Sequence, residues 1–262
     1  MRTLLLCLLV ACSGGSGEDP GSEDSGVRTS QPDDDDDDAT PTETVATLPG
    51  GLDSRDGGCL RTDGASDRVR SIDAELPLGD TPRTVQAWVL TDNAVGDQVA
   101  VSHGNGSPGR AFFLGTTDGY LMVSAGGLPS VAEEAFVADG RWHHVAATYG
   151  EGVAWLWVDG ERITSAELAV DTPDGEVVAG NAPIGQTLPW KGWIDEVKVY
   201  ARVRPDADIE ADVDGDELGL KVWWGFETRG VGAGIDVPDL SGMGGDAETG
   251  GTEDTPQMRS CP

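Results

Sequence analysis

Two tryptophans set two residues apart are the first chemistry this sequence offers. Trp155 and Trp157 lie in the run VAWLWV at residues 153–158. Strand side chains repeat every two residues, which sends Val153, Trp155 and Trp157 to one face and Ala154, Leu156 and Val158 to the other. One face must be core, and the other is then unusually aromatic. Sugars present C–H faces that stack on aromatic rings, so exposed indoles here would form a platform for a carbohydrate or an extracellular protein. Core or edge packing is the competing account, and Trp190, Trp193, Trp223 and Trp224 pose the same question later in the chain.

Catalytic constellations are scarcer. Retaining glycoside hydrolysis needs two carboxylates roughly 5 Å apart, and one strand supplies them when acids alternate along it. Residues 210–217, EADVDGDE, fall in a connection between elements with the wrong spacing, and Asp195 and Glu196 are adjacent, so a regular strand points them to opposite faces. The three histidines, His103, His143 and His144, offer little for a triad or a zinc site, and the sequence has no G-x-S-x-G and no H-E-x-x-H. Catalytic residues are therefore not assigned, and the chain reads as no enzyme.

The elements that must position the tryptophans are β-strands. Residues 142–160, WHHVAATYGEGVAWLWVDG, read as one hairpin with a glycine turn at 150–152 and a second turn at Asp159-Gly160. Further strands are predicted at 59–61, 68–72, 83–90, 98–102, 111–115, 120–124, 131–137, 177–178, 193–200 and 220–226, with an extended piece at 183–186. Turns are marked by Asp63-Gly64, Asn105-Gly106, Asp118-Gly119 and Asp139-Gly140. Residues 205–213 predict one short helix, with Pro at its start and acids in its first turn. Glycine and proline punctuate every eight to twelve residues, and no 3.6-residue periodicity is sustained, so the fold class is all-β, an antiparallel two-sheet sandwich.

The order of these pieces resembles the LamG-like jelly-roll domain of the concanavalin A-like lectin/glucanase and pentraxin group. WHHVAATY, a glycine turn and a strand ending in VDG are followed by Gly192-Trp193-Ile194-Asp195-Glu196-Val197-Lys198-Val199-Tyr200. Before them stand LRTDGASDRV at 60–69 and VQAWV at 85–89; after them come LKVWWGFE at 220–227 and DLSGMGG at 239–245. The resemblance runs from about Gly57 to the last residue. It implies fold strongly and activity weakly, because the same fold hosts lectins, adhesion modules and hydrolases. The hydrolases of the group would resemble E-x-D-x-E on one strand, which no predicted strand carries.

The resemblance also implies a calcium candidate, with oxygen ligands from Asp63, Asp67 and Asp195 tying loops together. The structural alternative pairs Asp195, aligned with Val197 and Val199, with a histidine or turn amides of an adjacent strand. Residues 208–215, DIEADVDG, echo an EF-hand loop, but the twelfth position is Lys221 in place of glutamate. If the first and last strands are neighbours, as in the group, a disulfide between Cys59 and Cys261 would pin both ends of the domain; two free thiols are the alternative.

The chain opens with a targeting segment. Met1-Arg2, an apolar stretch at 4–10 too short to span a bilayer, and Ala11-Cys12-Ser13 make residues 1–11 a signal peptide. Leu9-Val10-Ala11-Cys12 resembles a bacterial lipobox, which implies cleavage before Cys12 and lipidation there; an ordinary secretory signal is the alternative. Several acyl chains anchor stably where one is marginal. Residues 12–53, with six aspartates at 33–38, lack the apolar residues to offset chain entropy and predict a disordered tether with a reach of roughly 35 Å. Residues 54–262 are the folded domain. The expected location is the cell envelope, at the outer membrane, in an oxidising compartment. The net charge of −30 argues against nucleic acid, because an acidic surface repels phosphate backbones.

Overall fold

The computed structural model describes residues 51–71, 73–173, 175–183, 186–210, 218–251 and 256–262. The signal segment, Cys12, all but the last residues of the tether, and residues 211–217 of the EF-hand-like stretch lie outside them. Among the described residues the first nine strands are β1 (Gly58–Asp63), β2 (Arg68–Ser71), β3 (Arg83–Leu90), β4 (Asp97–Gly104), β5 (Ala111–Thr117), β6 (Tyr120–Ser124), β7 (Ser130–Phe136), β8 (Trp142–Gly150) and β9 (Val153–Val158). There follow β10 (Glu161–Glu167), β11 (Glu176–Ala179), β12 (Lys191–Tyr200), the helix α1 (Asp206–Glu210), β13 (Leu220–Trp224), β14 (Gly230–Val231), β15 (Asp236–Val237), β16 (Ala247–Gly250) and β17 (Gln257–Ser260).

The strands form two antiparallel sheets. One runs β10-β9-β8-β3-β12-β1-β17-β14, with β13 also paired to β12; the other runs β15-β16-β2-β11-β4-β5-β6-β7. Alternation decides what lies between them. Val85, Ala87 and Val89 of β3, Val145, Ala147 and Tyr149 of β8, and Ala154, Leu156 and Val158 of β9 share one buried cluster with Phe112, Leu114, Leu121 and Val123 of the other sheet. Burying that much aliphatic and aromatic surface, at about 25 cal/mol per Å², is the main force holding the layers together. The result is the jelly-roll sandwich that the sequence motifs imply.

Local chemistry fixes the register of the central hairpins. Glu151 and Gly152 have φ of 53° and 81°, Asp159 and Gly160 have 50° and 82°, and Asp118 and Gly119 have 49° and 85°. Two successive left-handed residues are the turn whose twist matches paired strands, and a glycine second residue accepts it without a steric penalty.

Four features differ from the sequence expectation. Strand β10 is unannounced, because ERITSAE carries charges on both faces; as the outermost strand of its sheet it needs only one partner, and those charges protect the edge. The C-terminal strands β14 to β17 are two to four residues long, too short for periodicity to register. The segment at 220–226 joins the sheet of the first strand, as the resemblance implies, but not beside that strand. It pairs instead with the second half of β12, and β17 takes the place beside β1. Finally, Asp53 and its neighbours, expected at the end of the tether, lie against β8: Leu52 bridges Trp142 and Asp53 pairs with Arg141.

Candidate functional site: the outer face of the nine-stranded sheet

The register of the nine-stranded sheet sets out its outer side chains in rows. At one end stand Trp142, Leu90, Trp193 and Arg61 in succession on β8, β3, β12 and β1. The next row holds His144, Trp88 and Asp195. A third runs Arg162, Trp157, Ala146, Gln86, Lys198 and Trp223, and the last Ser165, Trp155, Thr148, Thr84 and Tyr200. One sheet face thus carries most of the aromatic side chains outside the core, interleaved with cations.

Short segments roof part of this face. Arg55 lies over it with its guanidinium 4.2 Å from the Trp88 ring centre and 5.9 Å from that of Trp142, and its Nε donates to Asp195 Oδ2 at 3.1 Å. Arg204 donates to Gln86 Oε1 at 2.7 Å while sitting 4.6 Å over Tyr200. Ile209 of α1 closes on Ala146 and Trp157. The aromatic rings that stay half-exposed are Trp88, Trp155, Trp193 and Trp223.

The pair Trp155 and Trp157 is therefore split. Alternation puts both on the outer face as expected, but Trp157 is 2% exposed, covered by Ile209 and with the Arg162 guanidinium 5.7 Å from its ring centre. A ring so covered offers no stacking surface, so a platform of both indoles is corrected to Trp155 alone at that end. The covering helix lies some fifty residues downstream, and no local pattern in VAWLWV signals it.

The calcium set is also not assembled. Register places Asp63 opposite Lys191, at the end of β1 remote from the Asp195 side chain, which faces the Cys59 end. Four strand residues separate those levels, on the order of 13 Å, beyond one ion's coordination shell. Asp67 instead accepts the Asp63 N–H at 2.9 Å, closing the Asp63-Gly64 turn. Among the described residues one group of metal-ligating types converges, Cys59, Asp195 and Cys261, and its two sulfurs are joined in a disulfide between β1 and the residue after β17, leaving one carboxylate. The Cys59–Cys261 pairing that the resemblance implies is thus present.

Asp195 shows why strand alternation misleads here. The register of β12 against β3 shifts between Asp195 and Lys198, and Glu196 takes a left-handed φ of 51°. This bulge puts Ile194 and Val197 both into the core and turns Asp195 outward, away from Val197 and Val199. Its partner is Arg55, not a histidine. Burial drives the Asp195 pKa up to about 7, against the opposing pull of Arg55. Glu196 accepts the Trp223 indole N–H at 2.6 Å and meets Lys198 Nζ at 3.1 Å, so both acids of the IDEV motif are committed to structural partners. His143 lies between Asp159 and Asp139 at 2.8 and 3.1 Å; burial opposes its charge, but those two carboxylates prevail and raise its pKa. His103, fully buried and beside Arg83, is pushed down to about 3 by desolvation first and that guanidinium second.

At the first row a cleft of about 400 Å³ opens, lined by Arg61, Asp63, Asp92, Lys191, Gly192 and Trp193. Gly192 is needed there: a Cβ at that position would collide with the Leu90 carbonyl oxygen, so only glycine lets β12 approach β3 at the cleft floor. Trp193 was one of several tryptophans whose placement the sequence left open; its cross-strand neighbours are what mark it.

Residues 63–210, more than half of the chain, match the family model described as the concanavalin A-like lectin/glucanases superfamily. Among solved structures, a proposed carbohydrate-binding protein from Bacteroides ovatus is similar with a TM-score of 0.59 and 21% identity, over 79% of this chain and 62% of its own. The chain thus spans less than two thirds of that protein's length. The heptameric SAP-like pentraxin from Limulus polyphemus is similar with a TM-score of 0.53 and 13% identity, over 78% of this chain and 95% of its own. At these identities the likeness is one of fold. The search of curated proteins returned no match.

Proposed function

The chain belongs to the concanavalin A-like lectin/glucanases superfamily, and on that premise we propose that it is a non-catalytic carbohydrate-binding module of the cell envelope, held by a lipid on Cys12 through the acidic tether. The observation that carries the reading is the set of partly exposed tryptophans spread over one sheet face, Trp155, Trp193 and Trp223, with Trp88 beside them under the Arg55 guanidinium. Aromatic rings on a rigid sheet give large contact area to sugar C–H faces at little entropic cost. The non-catalytic part is supported by Asp195 and Glu196, each already engaged with a cation, as neither is placed to serve as an acid or nucleophile.

The test is retention of the full chain on a panel of immobilised polysaccharides. Millimolar or tighter binding to at least one glycan is expected, and the Trp155→Ala, Trp193→Ala double variant should lose at least tenfold in affinity with an unchanged melting temperature. Retention by none of the panel, or equal retention of the double variant, overturns it. For the anchor, labelling with an alkynyl fatty acid should mark the native chain and not Cys12→Ala; an unlabelled native chain overturns that part.

A further inference from the structure

Charge on this chain is scarce on one side: 17 Lys and Arg stand against 47 Asp and Glu. A cation here has carboxylates in excess to pair with, and most do; Arg55, Arg70, Arg110, Arg162 and Lys198 each lie within 4.0 Å of one. Arg61, Lys191 and Arg259, like Arg68, Arg83 and Arg229, form no ion pair among the described residues, and the first three surround Trp193. Arg61 is its cross-strand partner on β1. Lys191 precedes it by two on β12, on the same face, and the Arg259 guanidinium sits 5.0 Å from its ring centre. Arg61, Lys191 and Trp193 line the 400 Å³ cleft together.

We propose that this cleft binds an acidic saccharide, with the sugar ring against Trp193 and its carboxylate or sulfate taken by Arg61 and Lys191. The inference rests on the carbohydrate-binding reading and narrows it to a site and a ligand class. A net charge of −30 repels an approaching anion at long range, but exposed charges are screened beyond about 8 Å at physiological ionic strength, so the local set decides affinity. The cleft itself is lined by two cations, Arg61 and Lys191, and two carboxylates, Asp63 and Asp92, so an acid group is held only on the Arg61 and Lys191 side, where charge-assisted hydrogen bonds are roughly twice as strong as neutral ones. As acceptors, Asp63 and Asp92 suit the hydroxyls of the sugar and not its acid group, which sets orientation. Trp193 is half-buried, and its cleft side is the part left for the ring.

The experiment is affinity electrophoresis of the full chain in gels containing polygalacturonate, heparin or neutral galactan. Retardation by an acidic polymer is expected, at least tenfold stronger than by galactan and weakened by added salt. Arg61→Gln and Lys191→Gln should each reduce it about tenfold, the loss of one charge-assisted contact. Preference for polygalacturonate over heparin would assign the acid as a carboxylate, the reverse as a sulfate; both support the proposal. Galactan bound as tightly as the acidic polymers, or Arg61→Gln and Lys191→Gln retarded like the native chain, overturns the inference while leaving the carbohydrate reading intact. Binding to no glycan at all overturns both. The glutamine variants are polar replacements at surface positions, and melting curves matching the native chain exclude unfolding as the cause of any loss.

Discussion

Arg55 and Asp195 lie 140 positions apart in the chain, yet the guanidinium Nη2 stands 3.1 Å from the carboxylate in the fold. The pair clasps the segment entering the domain onto the outer face of the nine-stranded sheet, beside the Cys59–Cys261 disulfide. Burial dominates the Asp195 environment and raises its pKa to about 7, with Glu196 adding to the rise and Arg55 opposing it. The folded state thus holds a proton that the unfolded chain has released above the usual carboxylate range, and the stability this gives falls as pH rises from about 4 to about 7. His103, depressed to about 3, acts oppositely over pH 3 to 6.5 and masks the slope in the native chain. The difference between Asp195→Asn and native melting temperatures, followed across pH, isolates it. The variant is expected to gain on the native chain up to about pH 7; a difference that is flat with pH refutes the assignment.

The disulfide closes a loop of 202 residues. A closure of that size is worth up to about 5 kcal/mol by restricting the unfolded chain. Reduction, or Cys59→Ser with Cys261→Ser, should lower the urea midpoint markedly while the near-ultraviolet circular dichroism of the folded state stays the same. An unchanged midpoint would mean the β1–β17 pairing alone secures the ends.

Ile209 is fully buried and forms a small cluster with Ala146 and Trp157. Ile209→Ala removes the cover and should cost about 2 kcal/mol, the low end for an aliphatic truncation because the cluster lies at the surface of the sheet. Acrylamide quenching should rise in Ile209→Ala and not in Ile209→Ala with Trp157→Phe. Equal quenching in both would place the exposed indole elsewhere.

Lys198 is 2% exposed with its Nζ 3.1 Å from Glu196 and 4.9 Å from the Trp223 ring centre. Glu196→Ala takes away one counter-charge from a buried cation and the acceptor of the Trp223 indole, and is expected to destabilise by about 3 kcal/mol, whereas Glu196→Gln combined with Lys198→Met should recover most of that loss, since the buried charge is then removed as well. Chemical denaturation of the single and double variants checks this; a double variant less stable than Glu196→Ala contradicts it.

The central hairpins were legible because their signals are local. Turn residues such as Glu151-Gly152 and Asp159-Gly160 need only their own backbone conformations, and the division of VAWLWV into two faces follows from alternation alone. The Asp195 environment was not legible. One extra residue at the bulge reverses alternation beyond it, and a bulge is fixed by the neighbouring strand β3, not by the strand that carries it. The same holds for Trp157, whose burial depends on a helix after β12, and for the candidate cleft, whose cations come from β1 and β12.

What the sequence determined alone was the all-β sandwich and the central hairpin with its turns, since periodicity and turn chemistry act over a few neighbouring residues. Only the tertiary structure decided which tryptophans keep an open face, that Asp63 and Asp67 are held apart from Asp195, and that Arg61, Lys191 and Arg259 gather at Trp193. Those are consequences of cross-strand register and of covering segments, set by contacts between residues distant in the chain, and no short-range pattern encodes them.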